Sequence, residues 1–282
     1  MRRLGGAAAL CVGLGLLGLT GCQDTTTVQL DPLTVNGRDG SAPSVGYDGV
    51  MRIAAASRAA GDFANAVGLY RHAAAMEPSK PEPLDALGGT LMDMGKVDEA
   101  IVNFNAALKL SPHDGEGLRG LARAYLKTGR PDLAGAPLAL AFQDSPNDAK
   151  LLMLIGVGDD FIGQHASAQQ RYRQGLKLAP ADRSISLDLA LSLALSENFD
   201  QAIAILKPIA QAPGATAQER QTLALIYGLK GDQNAARLAA LVDLDPASVD
   251  HNLAFYESLR RLSPDARSRA VLSASAGSRP AS

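Results

Sequence analysis

The sequence predicts an all-α solenoid: six helix–turn–helix units in series, closed by a C-terminal helix. Three observations predict it. Gly61, Gly95, Gly129 and Gly163 stand 34 residues apart, and two further steps reach Glu197 and Gly231. An alanine follows each of the six at the same distance, as Ala66, Ala100, Ala134, Ala168, Ala202 and Ala236. Prolines recur in phase at Pro78, Pro112, Pro146 and Pro180.

Arg2 and Arg3 open the chain, and an uncharged stretch of 18 residues runs from Leu4 to Gly21. Rich in Gly and Ala, it is only weakly apolar for a membrane-spanning helix. A basic start, an apolar middle and a small-residue end fit a secretory signal over residues 1–21 better than a retained anchor helix. Removing it would take away two arginines and no acid, moving the formal net charge from -2 to -4. No later stretch is long and apolar enough to cross a bilayer. No basic block is dense enough to neutralise many phosphates, which argues against nucleic acid as a partner.

Cys11 lies inside the expected signal, which leaves Cys22 as the one cysteine of the mature chain and no disulfide framework. Leu19-Thr20-Gly21-Cys22 resemble the bacterial lipobox. That resemblance implies a diacylglyceryl group on the Cys22 sulfur and an acyl group on its amino terminus. Two or more chains give stable anchoring where one gives marginal binding. A free thiol after ordinary cleavage is the alternative. In proteobacterial lipoproteins an aspartate after the cysteine favours inner-membrane retention; Gln23 stands here, which implies an outer-membrane, periplasm-facing location. Residues 22–46 are then a lipidated end and a polar tether rich in Thr, Gly, Pro and Ser. As a coil it reaches roughly 27 Å.

The units are expected at 47–80, 81–114, 115–148, 149–182, 183–216 and 217–250. The glycine serves the turn between the two helices. A small residue recurs on the first helix (Ala54, Gly88, Ala122, Gly156, Ala190, Ala224) opposite the alanine of the second, so the two backbones can approach closely. An aliphatic residue precedes each: Ile53, Leu87, Leu121, Ile155, Leu189 and Leu223. The proline stops the second helix. This pattern resembles the tetratricopeptide repeat, which implies a right-handed solenoid that shares its stability along the array. The family's frequent tryptophan is absent. Pro137 and Pro208 are expected to kink their helices. Asp243 replaces a small residue, so the array weakens there. Residues 251–262, "HNLAFYESLRRL", are expected as a capping helix and residues 263–282 as a frayed tail.

No catalytic constellation is visible, so no enzyme, cofactor, metal site or small-molecule substrate is expected. His72, His113, His165 and His251 fall in different units, and no HExxH, GxSxG or phosphate-binding loop occurs. Asp159-Asp160 reads as a solvated or capping pair, since adjacent helical residues point apart. Binding is the expectation instead. By resemblance, the first helix of each unit lines a concave groove through its second, fifth, ninth, twelfth and thirteenth positions. These supply Arg119, Arg123 and Lys127, a basic stripe at spacing four. They then supply Met153, Val157 and Phe161, followed by Leu187, Leu191, Leu195, Leu225 and Leu229, an apolar half. A partner helix with an acidic end and an apolar face would suit such a groove. The alternatives are a solvated basic face, and leucines that are core or covered by the C-terminal helix.

The layout of lipobox, tether, six units, short C-terminal helix and tail is similar to the TadD lipoproteins of the tight-adherence (Flp pilus assembly) system. That resemblance implies a membrane-anchored adaptor or pilotin-like subunit whose partner is an outer-membrane secretin or another pilus assembly subunit. The same parts would also serve a scaffold for cell-wall enzymes, or a subunit of type IV pilus or polysaccharide-export machinery.

Overall fold

The computed structural model describes residues 45–278. The expected signal, Cys22 and nearly all of the tether lie outside the described residues. Within them the chain is helical throughout, with fourteen helices and no strand. Each expected unit holds a helix pair: α1 Tyr47–Ala59 and α2 Phe63–Met76; α3 Glu82–Asp93 and α4 Val97–Leu110; α5 Gly115–Lys127 and α6 Pro131–Asp144. The series continues with α7 Ala149–Phe161 and α8 His165–Leu178; α9 Arg183–Leu195 and α10 Phe199–Gln211; α11 Ala217–Lys230 and α12 Gln233–Ala240.

Local chemistry sets the joints. The turn glycines adopt left-handed backbone, with φ from 68° at Gly129 to 94° at Gly231, and Glu197 holds the same conformation without being glycine. Between units a Pro-x-Asp turn does two jobs. The proline ends one helix, and Asp114, Asp148 or Asp182 caps the next by accepting backbone N–H bonds, as from Leu151 N at 3.1 Å. Pro137 and Pro208 each remove one amide, yet α6 and α10 run on through them.

The small residues at the crossings are all buried. A Cβ on Gly88 would lie 2.7 Å from Phe104, and one on Gly156 2.6 Å from Tyr172, so an aromatic ring fills the space that glycine leaves. The aliphatic position ahead of each small residue is buried or half-buried in units 2 to 6, but Ile53 is 47% exposed. The first unit has no predecessor among the described residues to cover it. The core therefore runs along the array as successive clusters, one within units 1 to 3 and the next within units 3 to 6.

The C-terminal end departs from expectation. α12 spans only eight residues, and Asp243 pairs with Arg220 instead of packing. The capping helix α13 begins early, at Pro246, and ends at Arg260, because Asp245 caps it and Pro246 sits at its first turn, where its missing N–H costs nothing. Where a frayed tail is expected from residue 263, a further helix forms, α14 Pro264–Ser278. Packing explains it: Val271 and Leu272 bury against the inner helices of the array.

Candidate functional site

The first helices of neighbouring units, α3, α5, α7, α9 and α11, stand side by side as the inner layer. A cavity of about 280 Å³ opens along them. Arg123, Leu126 and Lys127 of α5, Met153, Val157 and Phe161 of α7, and Leu187 and Leu191 of α9 line it, closed on one side by Leu272 of α14. Seven of the candidate groove residues thus meet in one place.

The expected basic stripe is divided. Arg119 is half-buried and bound between acids, donating to Asp148 Oδ2 at 2.9 Å and to Glu116. Burial lowers the pKa of Arg123, and the charge of Asp93 acts the other way. Asp93 itself accepts from Arg58 Nε at 2.6 Å. This end of the groove is therefore a mixed field of paired charges, with Lys127 at its cavity side.

The apolar half is largely covered. Leu195 and Leu229 are 2% and 3% exposed, and they cluster with Leu191, with Leu259 of α13, and with Val271 and Leu272 of α14. Leu225 is half-buried against the same cluster. None of Leu195, Leu225 and Leu229 reaches the cavity. The C-terminal helices, and not solvent, meet these leucines.

Asp160 corrects the reading of a solvated acid pair. It is 2% exposed and accepts three side-chain bonds, from Tyr172 Oη at 2.9 Å, Ser192 Oγ at 2.7 Å and His165 Nδ1 at 2.7 Å. Burial raises its carboxyl above the usual range, and those three bonds pull it back. Asp159, one residue earlier, points elsewhere and accepts from Ser167. His165 carries the network outward, its Nε2 standing 3.0 Å from Ser268 Oγ of α14. Nothing in the spacing of these residues announces that network, because Ser268 lies 103 residues from His165. Among the described residues no cluster of three or more His, Cys, Asp or Glu is placed to hold a metal ion.

Two sequence-family models, both of tetratricopeptide repeats, match the chain, over residues 91–156 and 161–216. These two segments carry tetratricopeptide repeats. Neither family is catalytic, and tetratricopeptide domains bind protein partners. Among solved structures the array is similar to a tetratricopeptide repeat protein from Parabacteroides merdae (13% identity, TM-score 0.63), covering 77% of this chain and 86% of that one. It is also similar to pilF of Pseudomonas aeruginosa (18% identity, TM-score 0.56; 81% and 97% covered). MamA of Desulfovibrio magneticus RS-1 is a further neighbour (21% identity, TM-score 0.51; 58% and 94% covered). At these identities the likeness shows the fold alone. No curated protein matches the chain.

Proposed function

We propose that this chain is a membrane-anchored protein-binding scaffold, lipidated at Cys22, that acts as an adaptor or pilotin-like subunit in assembling a Flp pilus secretion apparatus. The observation that carries the reading is the order of parts. Leu19-Thr20-Gly21-Cys22 precede a polar stretch, which precedes a tetratricopeptide array. The anchor fixes the chain at a membrane, and the tether sets a reach of roughly 27 Å. The array then presents a groove to a protein partner, for which an outer-membrane secretin is the candidate. Gln23 after the cysteine supports the outer membrane as the site of anchoring.

Deleting the gene and following secretin multimers in outer-membrane fractions tests the role. Loss or mislocalisation of multimers is expected; unchanged multimers would overturn it. Cys22→Ser tests the anchor separately. The variant should leave the membrane fraction or accumulate unprocessed, and a protein that stays acylated and membrane-bound would overturn the lipidation.

A further inference from the structure

α14 is unlike the rest of the array. Among the described residues every other helix–helix contact joins helices adjacent or next but one in sequence, whereas α14 returns to touch α5, α7 and α9. Four of its residues share one face and do the docking. Arg267, only 7% exposed, donates to Glu197 Oε1 at 2.8 Å. Ser268 meets His165 at 3.0 Å. Val271 and Leu272 enter the leucine cluster. The spacing i, i+1, i+4, i+5 is that of a helix laid into a groove.

The fit is incomplete. Val271 and Leu272 are the only large apolar residues of "PDARSRAVLSASAGS", and Ser273 and Ala274 follow them. The 280 Å³ cavity lies beside Leu272, its wall apolar at Leu126, Met153, Val157 and Leu187 and charged at Arg123, Lys127, Arg183 and Glu219. This largely apolar space beside a small-residue helix is large enough for a bulkier side chain than Ser273 or Ala274.

We infer that the groove of units 3 to 6 is a binding site for an amphipathic helix of a partner protein, and that α14 is a resident stand-in which the partner displaces. The partner helix carries an arginine for Glu197, a hydroxyl for His165 and an aliphatic pair for Leu191, Leu195 and Leu229. A further large apolar residue fills the cavity. The inference rests on reading the chain as a binding scaffold, and not on which machine it serves.

The test uses the full chain and a fluorescent synthetic peptide of residues 264–278. The wild-type chain should bind it weakly, because its own α14 competes. The double variant Val271→Asp/Leu272→Asp, with its α14 undocked, should bind at least tenfold more tightly. Adding Glu197→Gly to that background should weaken binding at least threefold; glycine occupies this turn in the other units, so the fold is kept. Equal binding by wild type and double variant, no binding by either, or indifference to Glu197→Gly would overturn the inference. Should the double variant fail to fold, wild-type hydrogen exchange decides. Excess peptide, mass-marked by Arg269→Lys, must strip protection from residues 264–274 of the chain, and unchanged protection overturns displacement. A negative result here leaves the secretin experiment standing, and unchanged secretin leaves this one standing.

Discussion

Arg267 Nη1 donates to Glu197 Oε1 at 2.8 Å, and Glu197, at φ 62°, is the one non-glycine residue with left-handed backbone among the described residues. The turn of unit 5 therefore trades conformational ease for a tie to α14. Left-handed backbone costs a residue with a Cβ about 1 kcal/mol. Glu197→Gly and Glu197→Ala both delete the tie, but only glycine relieves the backbone. Urea unfolding should find the glycine variant more stable than the alanine variant by about 1 kcal/mol. Equal midpoints would show that the turn holds no strain.

Two helical glycines should respond to alanine in opposite directions. At Gly156 a Cβ would stand 2.6 Å from the Tyr172 ring, which is fully buried and has no room to withdraw. Overpacking there should cost roughly 1–3 kcal/mol. At Gly135, on the exposed side of α6, a Cβ would meet nothing within 4 Å. Gly135→Ala should gain about 0.5–1 kcal/mol by stiffening the unfolded chain. Thermal or urea unfolding of the two variants checks both signs.

Asp85 should give the array a distinctive pH dependence. Burial, then the neighbouring Asp114 carboxylate, push its carboxyl from 3.8 up to about 8. Its buried Oδ1 has no hydrogen-bond partner among the described residues. Because the folded value is raised, the unfolded chain releases this proton first. The stability it contributes is full below about pH 4 and drains away as pH rises through about 8. Asp85→Asn should flatten that decline and be the more stable form at pH 8, by roughly 1–3 kcal/mol, the cost of a poorly satisfied buried polar group. At pH 4 the two proteins should unfold together. A wild-type stability curve with no fall between these limits would refute the shift.

The register of the fold was legible because it is set locally and repeated. Gly61 or Gly95 needs only its own turn, and Ala66 or Ala100 only its own helix crossing. The same local phase brings Met153, Val157, Phe161 and Leu187 along one cavity. What failed was whatever depends on the chain returning. α14 has no apolar stripe of its own, and its helix is fixed by contacts far back in the chain, 70 residues away at Glu197 and 103 at His165. In the sequence Leu195 and Leu229 fit an open groove as well as a covered one, and α13 and α14 decide for cover. Asp160, expected as a solvated or capping acid, is enclosed instead by Tyr172 and His165 of its own unit and Ser192 of the next. The basic stripe misled for a related reason. Asp148 belongs to the capping turn of the next unit, so its bond to Arg119 appears only when two units stack.

The adjacent acids Asp159 and Asp160 make the sharpest contrast between pattern and packing. Successive helical residues point about 100° apart, and here that rotation separates a half-buried side chain from one 2% exposed. Asp160→Ala would leave the Tyr172 and Ser192 hydroxyls and the His165 ring without their shared acceptor inside the core. Orphaning several buried polar groups at once should cost about 3 kcal/mol or more. Asp159→Ala loses one bond to Ser167 near the surface and should cost less than about 1 kcal/mol. The two losses should also differ in reach. His165 joins Asp160 to Ser268, so Asp160→Ala should speed hydrogen exchange in α14 as well as in α7, while Asp159→Ala should leave α14 unchanged. Similar destabilisation by the two variants, or an α14 indifferent to Asp160, would mean that the network ends at the core.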